Sequence, residues 1–147
     1  MAKKFNKKAF KLWLDNLCKI VVKTRDGYQC RKCKKLIIDI YNCQWCHVRS
    51  RKSNILRWDL FNTFTLCGTC HAFAHDNPNE GWSWISDGIH DYLQEKMNQP
   101  TTTWREVDFL KVEYALLEKA IDLDVDPMNM PLVHRKRLIN KLHEINS

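Results

Sequence analysis

Cys67-Gly68-Thr69-Cys70-His71-Ala72-Phe73-Ala74-His75 puts two thiols three residues apart and two imidazoles four residues apart in one short run. The Asn77-Pro78-Asn79 turn ends the run, so the spacing predicts a short helix from Cys67 through His75. Positions four apart share a helical face, and adjacent positions diverge by a quarter turn or more. His71 and His75 are therefore expected on a face that Cys67 and Cys70 do not occupy.

Working back along the chain, Cys30-Arg31-Lys32-Cys33 supplies a second Cys-x-x-Cys pair. Two such pairs separated by a hairpin and a loop suit a tetrahedral structural zinc held by Cys30, Cys33, Cys67 and Cys70. A third pair, Cys43/Cys46, leaves an alternative open. One ion would sit on Cys30, Cys33, Cys43 and Cys46, and a second on Cys67, Cys70, His71 and His75, saturating both. Against it, Cys70 and His71 are neighbours and project in different directions.

The β-branched Ile37, Ile38 and Ile40 suggest a first strand, and Trp45 to Val48 a second. From Arg49 to Thr65 periodicity fails and polar and basic residues crowd in, as in a functional loop. Phe10, Trp13, Leu14, Leu17, Ile20 and Val21 fall on one face of an opening helix, with lysines opposite and Cys18 buried as a small apolar residue. Helical periodicity returns after Ile85, again through Val107 to Ile121, and over 132–145 beyond Pro127 and Pro131. The expected organisation is α+β: a basic amphipathic helix over 1–25, a zinc-stapled core over 26–80, and a helical extension over 81–147 packing on that core.

Twenty-four Lys and Arg against 17 Asp and Glu give a formal charge of +7, which favours a polyanionic partner. With 44% hydrophobic and 28% charged residues the chain has the composition of a folded domain. No stretch is long and apolar enough for a bilayer, so no membrane partner is expected. Lysines at 3, 4, 7, 8 and 11 have no apolar segment and cleavage site behind them, which points to the cytoplasm. In that reducing setting seven cysteines mean metal rather than disulfides.

His47 would lie on the strand facing the short helix. Arg49, Arg51, Lys52 and Arg57 surround it in sequence and suit phosphates. Phosphodiester hydrolysis needs an activated water and stabilisation of charge on the phosphoryl and leaving oxygens. A neutral histidine can take the water's proton, and a divalent ion on His71 and His75 can stabilise the oxygens. Trp45, Trp58, Trp82 and Trp84 are expected to pack the core rather than stack on bases.

Arg25-Asp26-Gly27-Tyr28-x-Cys30-x-x-Cys33, Cys46-His47-Val48-x-x-Arg51, Arg57-Trp58-Asp59-x-x-Asn62 and Leu66-Cys67-x-x-Cys70-His71-x-x-x-His75 together resemble the HNH nucleases of the ββα-metal, treble-clef fold. The Arg-Trp-Asp-x-x-Asn and His-x-Asn-Pro-x-Glu segments look most like phage-encoded, recombination-associated HNH proteins of the NinG-like group. The likeness runs over about residues 23 to 97. It implies a DNA endonuclease acting in recombination, packaging or degradation, in the host cytoplasm if phage-encoded. His47 would be the general base, Asn62 the middle asparagine that braces the catalytic loop, and His71 and His75 the ligands of a catalytic magnesium or manganese ion, with zinc a further candidate. Where HNH enzymes commonly carry a His or Asp ligand before the base, this chain has Cys46, a further candidate ligand of the catalytic ion whose thiolate suits zinc and is ill-suited to magnesium. A non-catalytic zinc-binding DNA adaptor is the competing expectation. The helices from residue 103 onward are candidates for a homodimer interface or a contact with another phage protein.

Overall fold

The computed structural model describes residues 4–147, and Lys3 of the N-terminal lysine run lies outside them. Among the described residues the chain is α+β, with seven α-helices and one two-stranded sheet. The helices are α1 (Lys7–Arg25), α2 (Asn54–Arg57), α3 (Gly68–Asp76), α4 (Pro78–Gly81), α5 (Asp87–Met97), α6 (Glu106–Asp122) and α7 (Leu132–Asn146). The strands are β1 (Gln44–His47) and β2 (Thr63–Leu66). Among the described residues no helix is long and apolar enough to cross a membrane.

Contacts divide the chain into two compact units, one of Met1–Val21 with Thr103–Ser147 and one of Val22–Thr102. The expected 26–80 core falls inside the second. Of the expected extension over 81–147, residues 103–147 group with residues 1–21 in one helical body, while 81–102 belong to the second unit. In it Trp13, Leu14 and Leu17 of α1 are buried, as are Phe109, Leu116 and Leu117 of α6 and Leu138 of α7. The Trp13 indole N–H donates to the buried Glu113 carboxylate at 2.6 Å, so burying the ring leaves no polar atom stranded. Cys18 is buried in this helix, as its apolar face requires.

In the second unit β1 pairs antiparallel with β2, Gln44 opposite Leu66 and His47 opposite Thr63. The expected strand at Ile37–Ile40 does not form. Gln29 and Leu36 make a single bridge, and Ile40–Asn42 is a turn of 3-10 helix. The backbone after Cys33 must reverse instead, with Lys34 at φ 66° and its N–H returning to the Cys30 carbonyl. The actual partner of β1 is Thr63–Leu66, at the end of the Arg49–Thr65 segment expected to be a loop.

Asp26 fastens this unit internally. Its buried carboxylate accepts from Arg25 Nε at 2.7 Å, Arg31 Nη1 at 2.9 Å and the Thr65 backbone N–H at 2.9 Å. Both guanidiniums also lie over the Phe64 ring. Burial pushes the carboxyl up, but the Arg25 guanidinium, the Thr65 N–H and Arg31 outweigh it and hold Asp26 below its ordinary value. A folded-state pKa below the unfolded one gives stability that is complete above the unfolded value and lost as pH falls through the folded one. Asp26→Asn is therefore expected to lower the melting temperature at neutral pH, and its deficit against the native chain should shrink as pH drops below the carboxylate range. A deficit independent of pH would rule out the ionised carboxylate as its source.

Gly81 closes α3 onto α4. A Cβ there would stand 2.3 Å from the Ala74 Cα, a backbone atom that cannot step aside. Gly81→Ala is expected to cost about 2 kcal/mol by overpacking, read from urea denaturation. A change within error would show that the two helices part freely.

Candidate functional site

Cys30, Cys33, Cys67 and Cys70 come together. Their sulfurs all lie within 4.8 Å of one another, with Cys33 Sγ 3.9 Å from Cys67 Sγ. A tetrahedron with Zn–S bonds of about 2.3 Å has edges of about 3.8 Å, so the four thiols are spaced to hold a metal such as zinc. This grouping resolves the alternative read from the sequence, since the first and last Cys-x-x-Cys pairs share the site. Cys43 and Cys46 lie buried among apolar side chains.

Local backbone explains the convergence. The Cys30–Lys35 turn is closed by the Cys30 N–H on the Lys35 carbonyl at 2.9 Å, and the Arg31 N–H reaches the Thr65 carbonyl of β2. Cys67 stands at the N-cap of α3, so Cys67 and Cys70 flank the first helical turn. The Asn42 side chain accepts from the Gly68 N–H at 2.8 Å, satisfying one of the donors that a helix start leaves open. Burial opposes ionisation of Cys30, yet the N–H groups of Cys33, Cys67 and Lys32 bring its thiol down to about 7. Cys70 is pushed up by burial and by the neighbouring sulfurs. Crowded thiols that hold protons in this way release them when a cation takes their place.

On the other side of α3, Nδ1 of His71 bonds to the Gln44 side-chain oxygen at the start of β1. An amide oxygen accepts, so Nδ1 carries the proton and Nε2 presents the lone pair, the arrangement by which a neighbouring group orients a metal-ligating histidine. Burial first, and His75 second, hold the His71 imidazole below its ordinary value. His75 is exposed one turn further along. Gln44 was not singled out in the sequence. The only signal was its parity with Cys46 on the strand, which turns it toward α3.

His47 sits at the far end of β1, on the face it shares with Trp45, whose ring centroid is 4.4 Å away. By strand alternation this face is opposite that of Gln44 and Cys46, so the ring does not point to the α3 side on which the sequence placed it with His71 and His75. Its Nε2 bonds to the Arg57 carbonyl at 2.8 Å. Since a carbonyl only accepts, Nε2 bears the proton and Nδ1 the lone pair in the neutral ring. Cys46, the next residue back, turns inward. It is 1% exposed, and burial, chiefly, pushes its thiol up to about 12. Among the described residues the four thiols are the one set of three or more Cys, His, Asp or Glu groups close enough to share an ion, so Cys46, His71 and His75 do not gather into a second.

Asn62, fully buried, fastens the segment between His47 and β2. Its Oδ1 accepts from the Arg49 N–H at 2.8 Å, and its Nδ2 donates to the carbonyls of Leu56 and Arg49 at 2.9 and 3.2 Å. Asp59 adds a tie to α5, accepting from the Tyr92 hydroxyl at 2.6 Å. Burial and that carboxylate push Tyr92 up to about 12. Arg51 and Lys52 are exposed, while Arg49 and Arg57 are half-buried. The Arg51 guanidinium lies over Trp45 and that of Arg57 over Trp58. Trp58 and Trp82 are buried, and Trp82 and Trp84 pack with Phe64, as expected of core tryptophans, whereas Trp45 is only half-buried beneath the Arg51 guanidinium.

Asn62→Ala is expected to destabilise the protein by about 3 kcal/mol, because each buried group left without a partner costs about 1–3 kcal/mol. Urea denaturation reads the effect, and a loss under about 1 kcal/mol would mean that water replaces the amide.

Comparison of the chain with protein-family models, with curated proteins and with solved structures gives no match.

Proposed function

We propose that the protein is a metal-dependent DNA endonuclease of the HNH type, built on a zinc-stapled ββα-metal core. What supports the reading is His47. Its Nε2–H is held by the Arg57 carbonyl, in a segment that Asn62 fastens from both sides. An imidazole so held keeps its lone pair on Nδ1 in a fixed direction, the state a general base requires.

In this reading His47 takes the proton of the attacking water at Nδ1, and Arg49, Arg51, Lys52 and Arg57 bind the phosphates around the cut. His71 and His75 would hold a second divalent ion, His71 through the Nε2 that Gln44 turns outward. Such an ion stabilises charge on the phosphoryl and leaving oxygens. Two imidazoles suit manganese or zinc better than magnesium, which prefers oxygen ligands. Recombination, packaging or degradation of phage DNA is the proposed setting.

Incubating the zinc-loaded protein with supercoiled plasmid and manganese, magnesium or additional zinc tests the reading. Nicked or linear product with manganese, blocked by chelator, is the expected outcome. Plasmid that stays supercoiled with every ion, while its mobility shifts on binding, would replace the nuclease by a zinc-dependent DNA adaptor.

A further inference from the structure

Directly after the metal-binding turn the chain exposes what a solvated loop ordinarily hides. Ile38 is 91% exposed and Tyr41 89%, with Leu36 and Ile40 also largely exposed. Loop tips are normally polar because apolar side chains gain by leaving water.

The tip is firmly mounted. Ile37, buried on one side, gives its N–H to the Tyr28 carbonyl at 2.9 Å, and Cys43 is buried on the other. Asp39, itself exposed, caps the turn by accepting from the Tyr41 N–H at 3.0 Å. Below the tip stand the exposed Lys34 and Lys35, while Lys32 lies over the Phe73 ring of α3 at 3.9 Å. Asn42, at the end of the turn, holds the first N–H of α3, the helix that carries His71 and His75.

An apolar tip flanked by lysines matches the chemistry of a side chain that enters between base pairs while cations take the adjoining phosphates. We propose that the turn 38–41 is a stacking wedge for duplex DNA, in which Ile38 and Tyr41 part neighbouring base pairs and Lys34 and Lys35 bind the flanking phosphates. The proposal rests on the DNA reading above and extends it to a substrate class: DNA whose stacking is already weakened at a nick, mismatch or branch. Unstacking costs a few kcal/mol per step in intact duplex and less where stacking is broken, so such DNA binds more tightly. Charge favours DNA over another apolar surface, since the wedge stands on lysines in a chain of net charge +7.

The test uses the full-length zinc-loaded protein and a short duplex carrying a fluorescent base analogue that stacking quenches. Saturating wild-type protein is expected to raise the fluorescence several-fold. Ile38→Ser/Tyr41→Ser should abolish the rise at unchanged zinc content, and a mismatched duplex should bind about tenfold more tightly than an intact one, equivalent to about 1.4 kcal/mol. Lys34→Gln/Lys35→Gln should make the slope of log affinity against log salt shallower by about two. A rise that persists in the double serine variant, or no rise at saturation with wild type, overturns the wedge. So does binding to phosphatidylserine vesicles that the serine variant loses while its DNA response is unchanged. Cleavage and unstacking separate the two readings: cutting without unstacking removes the wedge alone, and unstacking without cutting removes the nuclease alone.

Discussion

Stripping the metal from the four-thiol site, or replacing Cys70 with Ser, is expected to unfold residues 22–102. Structural zinc contributes about 10–16 kcal/mol of apparent binding free energy in small domains, and a whole domain is stable by only about 5–15 kcal/mol. The apolar cluster of this unit is organised around the site. Cys30 and Cys67 lie in it beside Leu66 and Phe64, and the Cys30 turn and the first turn of α3 bring its two halves together. Without the cation, four crowded thiols replace four charge-compensated ligands, and the short β1–β2 pair is too small to stand alone. Zinc release followed by a colorimetric chelator, with near-ultraviolet circular dichroism recorded in parallel, should show one equivalent lost together with the signal of Trp45, Trp58, Trp82 and Trp84. A Cys43→Ser chain should keep its zinc. Native dichroism in the metal-free protein, or zinc lost from Cys43→Ser, would sink the assignment.

Spacing made the thiol site readable before any fold was known, because Cys-x-x-Cys is a local geometry that a knuckle or a helix start realises in the same way each time. The opening helix and α5 were readable for a related reason, since apolar residues recurring along one face state which side must be buried. In α6 the helix was readable but its buried face was not, since Val107, Leu110 and Tyr114 are exposed while Phe109, Leu116 and Ala120 are buried. The strands were less so. Ile37, Ile38 and Ile40 have strand propensity, yet three constraints act on this stretch: the cysteine turn before it, a buried Ile37 and a 3-10 turn at Ile40–Asn42. Tertiary placement overrode propensity there. The reverse happened at Thr63–Leu66, where all four side chains are buried and no alternation remains to mark a strand. What makes it one is the ladder with β1, a long-range fact.

The same distinction governs the candidate site. His71 and His75 are a local pair, visible as i and i+4. Asn62 was marked only by family resemblance, because three hydrogen bonds to residues six and thirteen positions away leave no pattern in the sequence. Asp26 resembles an ordinary turn acid beside Gly27, and its burial among three donors could not be foreseen from Arg25-Asp26 alone. Gln44, which orients His71, has no chemistry that would single it out.

His47→Ala carries the other large expected effect, a loss of about 10²–10⁴-fold in plasmid cleavage, the usual contribution of a positioned general base. The loss should fall on the rate at saturating DNA, since a side chain in the proposed role acts on water and not on substrate affinity. Folding should be little affected. The imidazole is half-buried at the end of β1, and its bond to the Arg57 carbonyl is one net hydrogen bond, worth about 1 kcal/mol, in a segment that Asn62 and Asp59 also hold. Zinc content should stay at one equivalent, because the four sulfurs that gather are those of Cys30, Cys33, Cys67 and Cys70. His71→Ala has a different signature, in which the dependence on added manganese weakens while zinc is retained. Full cleavage by His47→Ala, at native zinc content and melting temperature, would remove His47 as the base and leave its bond to Arg57 as a clamp on the loop.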